Sequence, residues 1–147
     1  MKDLLKKLLL FTLPLVFVLS ASCNDSDDDN KTPEEMIIGI WEPITDDPSF
    51  NNTYLSFFVF KSDKTAIRYV IDEDKSDESG FVFSDTINFR NYTIYDGNKE
   101  KYITCEIDED NRNFYDFKDM TNSLVFLSTS SGRGGYYKKV KSINVKK

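Results

Sequence analysis

From residue 39 onward the apolar positions come in short bursts, alternating or nearly continuous, each closed by a cluster of Asp, Asn, Ser, Gly or Pro. That is the period-two signature of strands rather than the 3.6-residue stripe of a helix. The first burst, Gly39 to Ile44, ends in the turn chemistry of Pro43 and Asp46-Asp47-Pro48. Thr53 to Lys61 and Thr65 to Ile71 are rich in aromatic and β-branched residues and flank Ser62-Asp63-Lys64, which predicts a tight hairpin. In its second strand Ile67, Tyr69 and Ile71 share one face, and Ala66 and Arg68 the other. A polar loop covers residues 72–79. Gly80 to Tyr95 admits two readings, one long bent strand or a short strand Phe81-Val82-Phe83 with a turn at Ser84-Asp85 and a second strand from Ile87. Asp96-Gly97-Asn98-Lys99 is a strong turn signal. Strands follow at Lys101 to Ile107, Asn113 to Phe117, Ser123 to Ser128 and Gly135 to Lys141. One helical signal precedes them all: Thr32 as N-cap, Pro33 at the first helical position and Glu35 completing a capping box, for a single turn over about Pro33 to Ile38.

About eight short strands with one helical turn argue for an all-β fold, a sandwich or a barrel. Loop lengths favour the barrel. Connections at residues 43–52, 72–79, 108–112 and 128–134 alternate with the compact turns at 62–64, 96–99 and 119–122. One end is therefore tight and the other loop-rich, as an antiparallel up-and-down β-barrel with a mouth requires.

Three segments carry a family resemblance: Ile38-Gly39-Ile40-Trp41, the hairpin Phe58 to Thr65, and the run Phe117 to Leu127. Together they resemble the small lipocalin-like domains of bacterial lipoproteins, over most of residues 36–141. The resemblance implies that Gly39 and Trp41 close the tight end, the indole packing under the barrel floor. It implies a binding module with a small apolar or amphipathic ligand in an aromatic-lined interior. Phe58, Tyr69, Phe81 and Phe126 are the expected liners, chosen by strand position. The extra segment around Phe81 to Phe89 departs from the shortest family pattern.

Ahead of the domain, Lys2, Lys6 and Lys7, the apolar run Leu8 to Leu19, and the small residues Ser20, Ala21 and Ser22 follow the order of a secretory signal. The run is too short to favour a membrane-spanning anchor. Small residues directly before Cys23 resemble a lipoprotein lipobox, relaxed because Leu19 stands four positions before the cysteine rather than three. The resemblance implies acylation of Cys23 as the first mature residue, and an outer-membrane lipoprotein facing the cell surface or the periplasm. The aspartates between Asp25 and Asp29 predict an extended, solvated tether; they resemble a surface-export signal and equally suit a plain linker. The expected organisation is a signal peptide over 1–22, a tether over 23–32, the barrel over 33–141 and a basic tail over 142–147.

Composition narrows the chemistry. The chain has no histidine, which removes Ser/His/Asp and Cys/His nucleophile systems and imidazole metal sites. With Lys+Arg 19 against Asp+Glu 25, and three of the lysines in the signal, the domain is acidic, which argues against a nucleic-acid partner. Of the two cysteines Cys23 is claimed by the anchor, so Cys105 has no disulfide partner; it alternates with Ile103 and Ile107 and reads as a buried, inert thiol. Asp46-Asp47, Asp72-Glu73-Asp74 with Asp77-Glu78, and Asp108-Glu109-Asp110 fall in loops of one end, either as a cation-attracting rim or as solvated surface. None follows a calcium-loop spacing. Ser128 to Gly135 lacks the lysine and following helix of a phosphate loop. No catalytic residue, metal or cofactor is expected. The expected partners are the membrane, through the lipid anchor, and a small hydrophobic ligand; the alternative is a filled barrel that docks on another envelope protein. The anchor is directly testable: Cys23→Ala should move the protein from the membrane to the soluble fraction of fractionated cells, and unchanged membrane retention would refute acylation.

Overall fold

A computed structural model describes residues 30–48 and 55–146. The signal, Cys23 and the acidic tether lie outside the described residues. The helix forms where its caps place it. Thr32 is the N-cap of α1 (Pro33–Ile37), and the Thr32 and Glu35 side chains complete the capping box. Nine strands follow: β1 (Gly39–Pro43), β2 (Ser56–Phe60), β3 (Ala66–Ile71), β4 (Phe83–Phe89), β5 (Asn91–Asp96), β6 (Lys101–Glu106), β7 (Arg112–Lys118), β8 (Leu124–Thr129) and β9 (Gly134–Val140). All pair antiparallel in one sheet of order β4-β3-β2-β1-β9-β8-β7-β6-β5, a nearly closed up-and-down barrel.

The two ends of that order are consecutive in the chain. β4 and β5 are one long strand bent at Arg90, which settles the two readings of residues 80–95 in favour of the bent strand. Before the bend, Phe89 pairs with Ala66 of β3; after it, Asn91 pairs with Glu106 of β6. At the bend the Arg90 N–H donates to the Glu106 carbonyl at 2.8 Å, and the Tyr92 N–H donates to the Lys64 carbonyl at 2.7 Å. One strand thus hands its hydrogen bonds from one side of the barrel to the other. Because no turn intervenes, the β2–β3, β5–β6 and β7–β8 turns share the helix end, and the long β1–β2, β3–β4, β6–β7 and β8–β9 loops leave from the other.

The β2–β3 turn is built by Asp63, whose Oδ1 accepts from the Thr65 N–H at 2.9 Å and the Thr65 hydroxyl at 2.7 Å. It sets the register at Phe60↔Ala66 and Phe58↔Arg68. Phe58 and Phe60 belong to the buried interior cluster with Ala66, so Arg68 also points inward. Tyr69, opposite Phe57, points out.

The helix end is sealed by Trp41, which is fully buried. Its indole Nε1 donates to the Ile37 carbonyl at 2.6 Å, closing the C-terminal end of α1 onto the barrel floor. Lys139, opposite Trp41 on β9, lays its ammonium 4.8 Å from the indole ring and donates to the Met36 carbonyl at 2.6 Å. Gly39 has φ +139°, a conformation that L side chains rarely adopt, and a Cβ there would come within 3.2 Å of the Lys139 side chain. Gly39 and Trp41 thus both lie at the closed end of the barrel, beside α1 and Lys139. Above this floor Phe58, Phe60, Tyr92, Tyr115 and Tyr137 fill the barrel with edge-to-face pairs at centroid distances of 5.1 to 5.5 Å.

A second aromatic cluster lies on the outer wall. Phe57 is fully buried there, edge-on to Phe81 at 4.9 Å and Phe83 at 6.2 Å, with Tyr69 against Phe83. The β3–β4 loop folds back over it, and the C-terminal tail straps the loop down. The Phe81 N–H donates to the Asn144 carbonyl, the Lys146 N–H donates to the Phe81 carbonyl, and Lys146 Nζ pairs with Asp77 at 2.5 Å. Gly80 sits under the strap, where a Cβ would lie 2.8 Å from the Lys146 nitrogen. Removing the indole should test the floor. Trp41→Ala leaves a large cavity and strips the Ile37 carbonyl of its donor, so denaturant unfolding should register a loss of about 3 to 5 kcal/mol. A loss below about 1 kcal/mol would mean that the indole does not hold the floor.

Candidate functional site

The inward face changes character along the barrel axis. Below, it is aromatic and closed. At mid-height comes a polar layer made by side chains that strand pairing turns inward: Ser56 on β2, Arg68 on β3, and Asn113 and Tyr115 on β7. Arg68 Nε donates to Ser56 Oγ at 2.9 Å. The guanidinium also hydrogen-bonds the Tyr115 hydroxyl, which accepts from Asn113 Nδ2 at 3.4 Å. Beneath it lies the Phe58 ring, its centroid 5.7 Å from the guanidinium carbon. Burial pushes the Tyr115 phenol above its ordinary value, while the Arg68 charge draws it partly back. The phenol stays protonated at neutral pH, free to donate or accept in this layer.

On the open side of the polar layer is a cleft of about 330 Å³ lined by Arg68, Val70, Ser84, Asp85 and Ile87. Val70 pairs with Asp85 and Arg68 with Ile87, so these four side chains project from adjacent strands onto one inner surface. β4 has no strand on its other side along this stretch, since the sheet order begins with it. The cleft thus has a cationic floor, an apolar wall of Val70 and Ile87, and a carboxylate at Asp85.

The expected interior liners divide. Phe58 faces inward, at 2 % exposure, and forms the base under Arg68. Tyr69, Phe81 and Phe126 stand on the outer wall, a correction to their expected position. Tyr69 and Phe81 belong to the strapped outer cluster, and Phe126 packs edge-on to Tyr136 with the Lys118 ammonium 4.3 Å above its ring. The reason is register: the turn at Asp63 fixes which parity of β3 faces in, and sequence alternation alone leaves the two parities equivalent. Arg68, Ser56, Asn113 and Tyr115 were not singled out by their sequence. The one available signal was Arg68 sharing a face with the small Ala66 in an otherwise apolar strand.

The acidic loops are engaged in local structure. Asp72 pairs with Lys75 at 2.8 Å, and Asp77 pairs with Lys146. The Lys146 ammonium and the Ser79 hydrogen bonds hold the Asp77 carboxyl down at about 2. Asp108 accepts from the backbone and side chain of Asn111 and from the Asp110 N–H, closing its own turn. Among the described residues no three of Asp, Glu, Cys or His converge in a way that could hold a metal ion. Cys105 is fully buried against the interior, as expected, whereas Ile107 lies beyond the strand end and is exposed.

No family model matches the chain, and no curated protein or solved structure matches it. The fold and the cleft are therefore read from this chain alone.

Burial pushes the Cys105 thiol up to about 12. At pH 8 the native protein should resist a thiol reagent that reacts within minutes once denaturant is added; rapid native labelling would contradict the packing. A proton that the folded thiol keeps and the unfolded thiol loses makes stability fall as pH rises. The thiol's contribution is complete below about 9 and is lost towards about 12.

Proposed function

We propose that the chain is a lipid-anchored, lipocalin-like binding module that holds a small amphipathic ligand at the mouth of its barrel. The observation that carries this reading is the cleft beside Arg68, Val70 and Ile87, open to solvent above a filled aromatic base. Its volume lies at the lower end of the range for small-molecule sites, and it joins apolar walls to a few convergent polar groups. A ligand would seat in the upper barrel only, because deeper entry would have to displace the packed rings of Phe58, Tyr115 and Tyr137. The role is recognition rather than catalysis: the chain has no histidine, and the buried Cys105 thiol is not ionised. The signal, Cys23 and the acidic tether support placement at the outer membrane, with the domain held off the bilayer. Nothing in its charge favours a nucleic acid.

A second reading, docking of a protein partner, has its own support in an exposed row across β5, β6 and β7. Tyr95 stacks on Tyr102 at 5.0 Å and Phe114 lies 6.2 Å further on, with Tyr95 51 % and Phe114 49 % exposed.

A cleft-filling variant discriminates the two. With the full chain in phospholipid nanodiscs and empty nanodiscs as blank, calorimetry should detect saturable binding of 1-octanol that Ile87→Trp abolishes and Tyr102→Ser leaves intact. Failure of octanol to bind, or binding unaffected by Ile87→Trp, would remove the cleft from the function.

A further inference from the structure

We infer that the mouth cleft is selective for an anionic head group, a carboxylate on a short aliphatic tail, and that Arg68 is the residue that takes it. This rests on the mouth-binding reading above and names the ligand class.

The inference starts from an imbalance of charge. Arg68 points into the barrel and is only partly exposed, yet among the described residues it forms no ion pair. Its contacts are neutral: Ser56 Oγ, the Tyr115 hydroxyl and the face of Phe58. A guanidinium has five N–H donors, and these two hydroxyls use two of them. Taking a cation out of water is costly unless an anion or several hydrogen bonds compensate it. Two hydroxyls leave donors of this guanidinium without a partner, and Arg68 itself lines the open cleft.

The surroundings suit a carboxylate on three counts. The guanidinium fork is planar and matches two carboxylate oxygens with parallel hydrogen bonds. Ser56 and Tyr115 fix its orientation, so little freedom is lost when an anion arrives. Val70 and Ile87 stand beside it at the height where an aliphatic tail would run towards the open end. Asp85 is the opposing feature. It lines the same cleft, but its Oδ1 accepts from the Thr86 N–H at 2.7 Å rather than reaching Arg68. Its charge disfavours ligands carrying a second anionic group and limits the site to monoanions.

The aliphatic carboxylate and the alcohol of equal length separate the two propositions. With the full chain in nanodiscs, octanoate should bind roughly ten- to a hundredfold more tightly than 1-octanol. Arg68→Gln should bring octanoate down to the affinity of octanol, and octanol itself should be little changed. Thermal melting checks that this variant remains folded. Should it not fold, Arg68→Lys, which keeps the charge but loses the fork, should weaken octanoate selectively. Equal affinity of octanoate and octanol for the native chain would overturn the assignment of Arg68 while leaving the mouth-binding reading standing. Binding of neither probe would overturn both.

Discussion

The barrel depends on one bent strand. Without the handover at Arg90, nothing would join β4 and β5, the two terminal strands of the nine-stranded sheet, and the sheet would stay open along its whole length. The bend lets one strand serve as partner to β3 before it and to β6 after it, with the Arg90 and Tyr92 amides bonding to opposite sides. Tyr92 reinforces the joint: it is fully buried, stacks edge-on to Phe60 at 5.1 Å, and its hydroxyl donates to the Lys61 carbonyl at 3.0 Å. Burial accordingly raises its phenol above the ordinary value. Closure also fixes the segregation of loops. Had the chain turned at residue 90, every later turn would have exchanged ends, and the helix and the short turns would not share a floor.

Closing the sheet around so many rings leaves a graded interior. The lower barrel is filled by aromatic side chains locked edge to face, each pair adding about 0.5 to 1.5 kcal/mol beyond the area it buries. Trp41, α1 and Lys139 seal this part from below. At mid-height the interior turns polar, with Ser56, Arg68 and Asn113 beside the Tyr115 hydroxyl. Under the proposed binding role, such a gradient would set the depth at which a ligand rests. It would also place selectivity in the polar layer, where a hydrogen bond is stronger than on the surface.

The outer wall shows the same economy in a different form. Phe57, placed outward by the pairing that turns Phe58 inward, would be a large exposed ring on its own. The β3–β4 loop and the tail around Val145 cover it, so part of the acidic loop and the basic tail serve as a lid on an external core. Of the loop carboxylates, Asp77 is held in this strap, Asp72 pairs with Lys75 and Asp108 closes its own turn.

The sequence by itself determined the element inventory. Alternating apolar bursts gave nearly every strand to within a few residues, the Thr32 and Glu35 pair fixed the helix, and loop lengths separated the two ends, because these properties depend on neighbours within a few positions. The tertiary structure decided which face of each strand is the inside. That choice is set by long-range register, Phe58 opposite Arg68 and Ala66 opposite Phe89, and a shift of one residue would exchange inside and outside with no change in local pattern. For this reason the floor residues Gly39 and Trp41 were legible from a local motif, while Tyr69, Phe81 and Phe126 were assigned to the wrong wall. The inward charge of Arg68, on which the proposed site rests, became visible only once the closed barrel turned it inward with no ion-pair partner among the described residues.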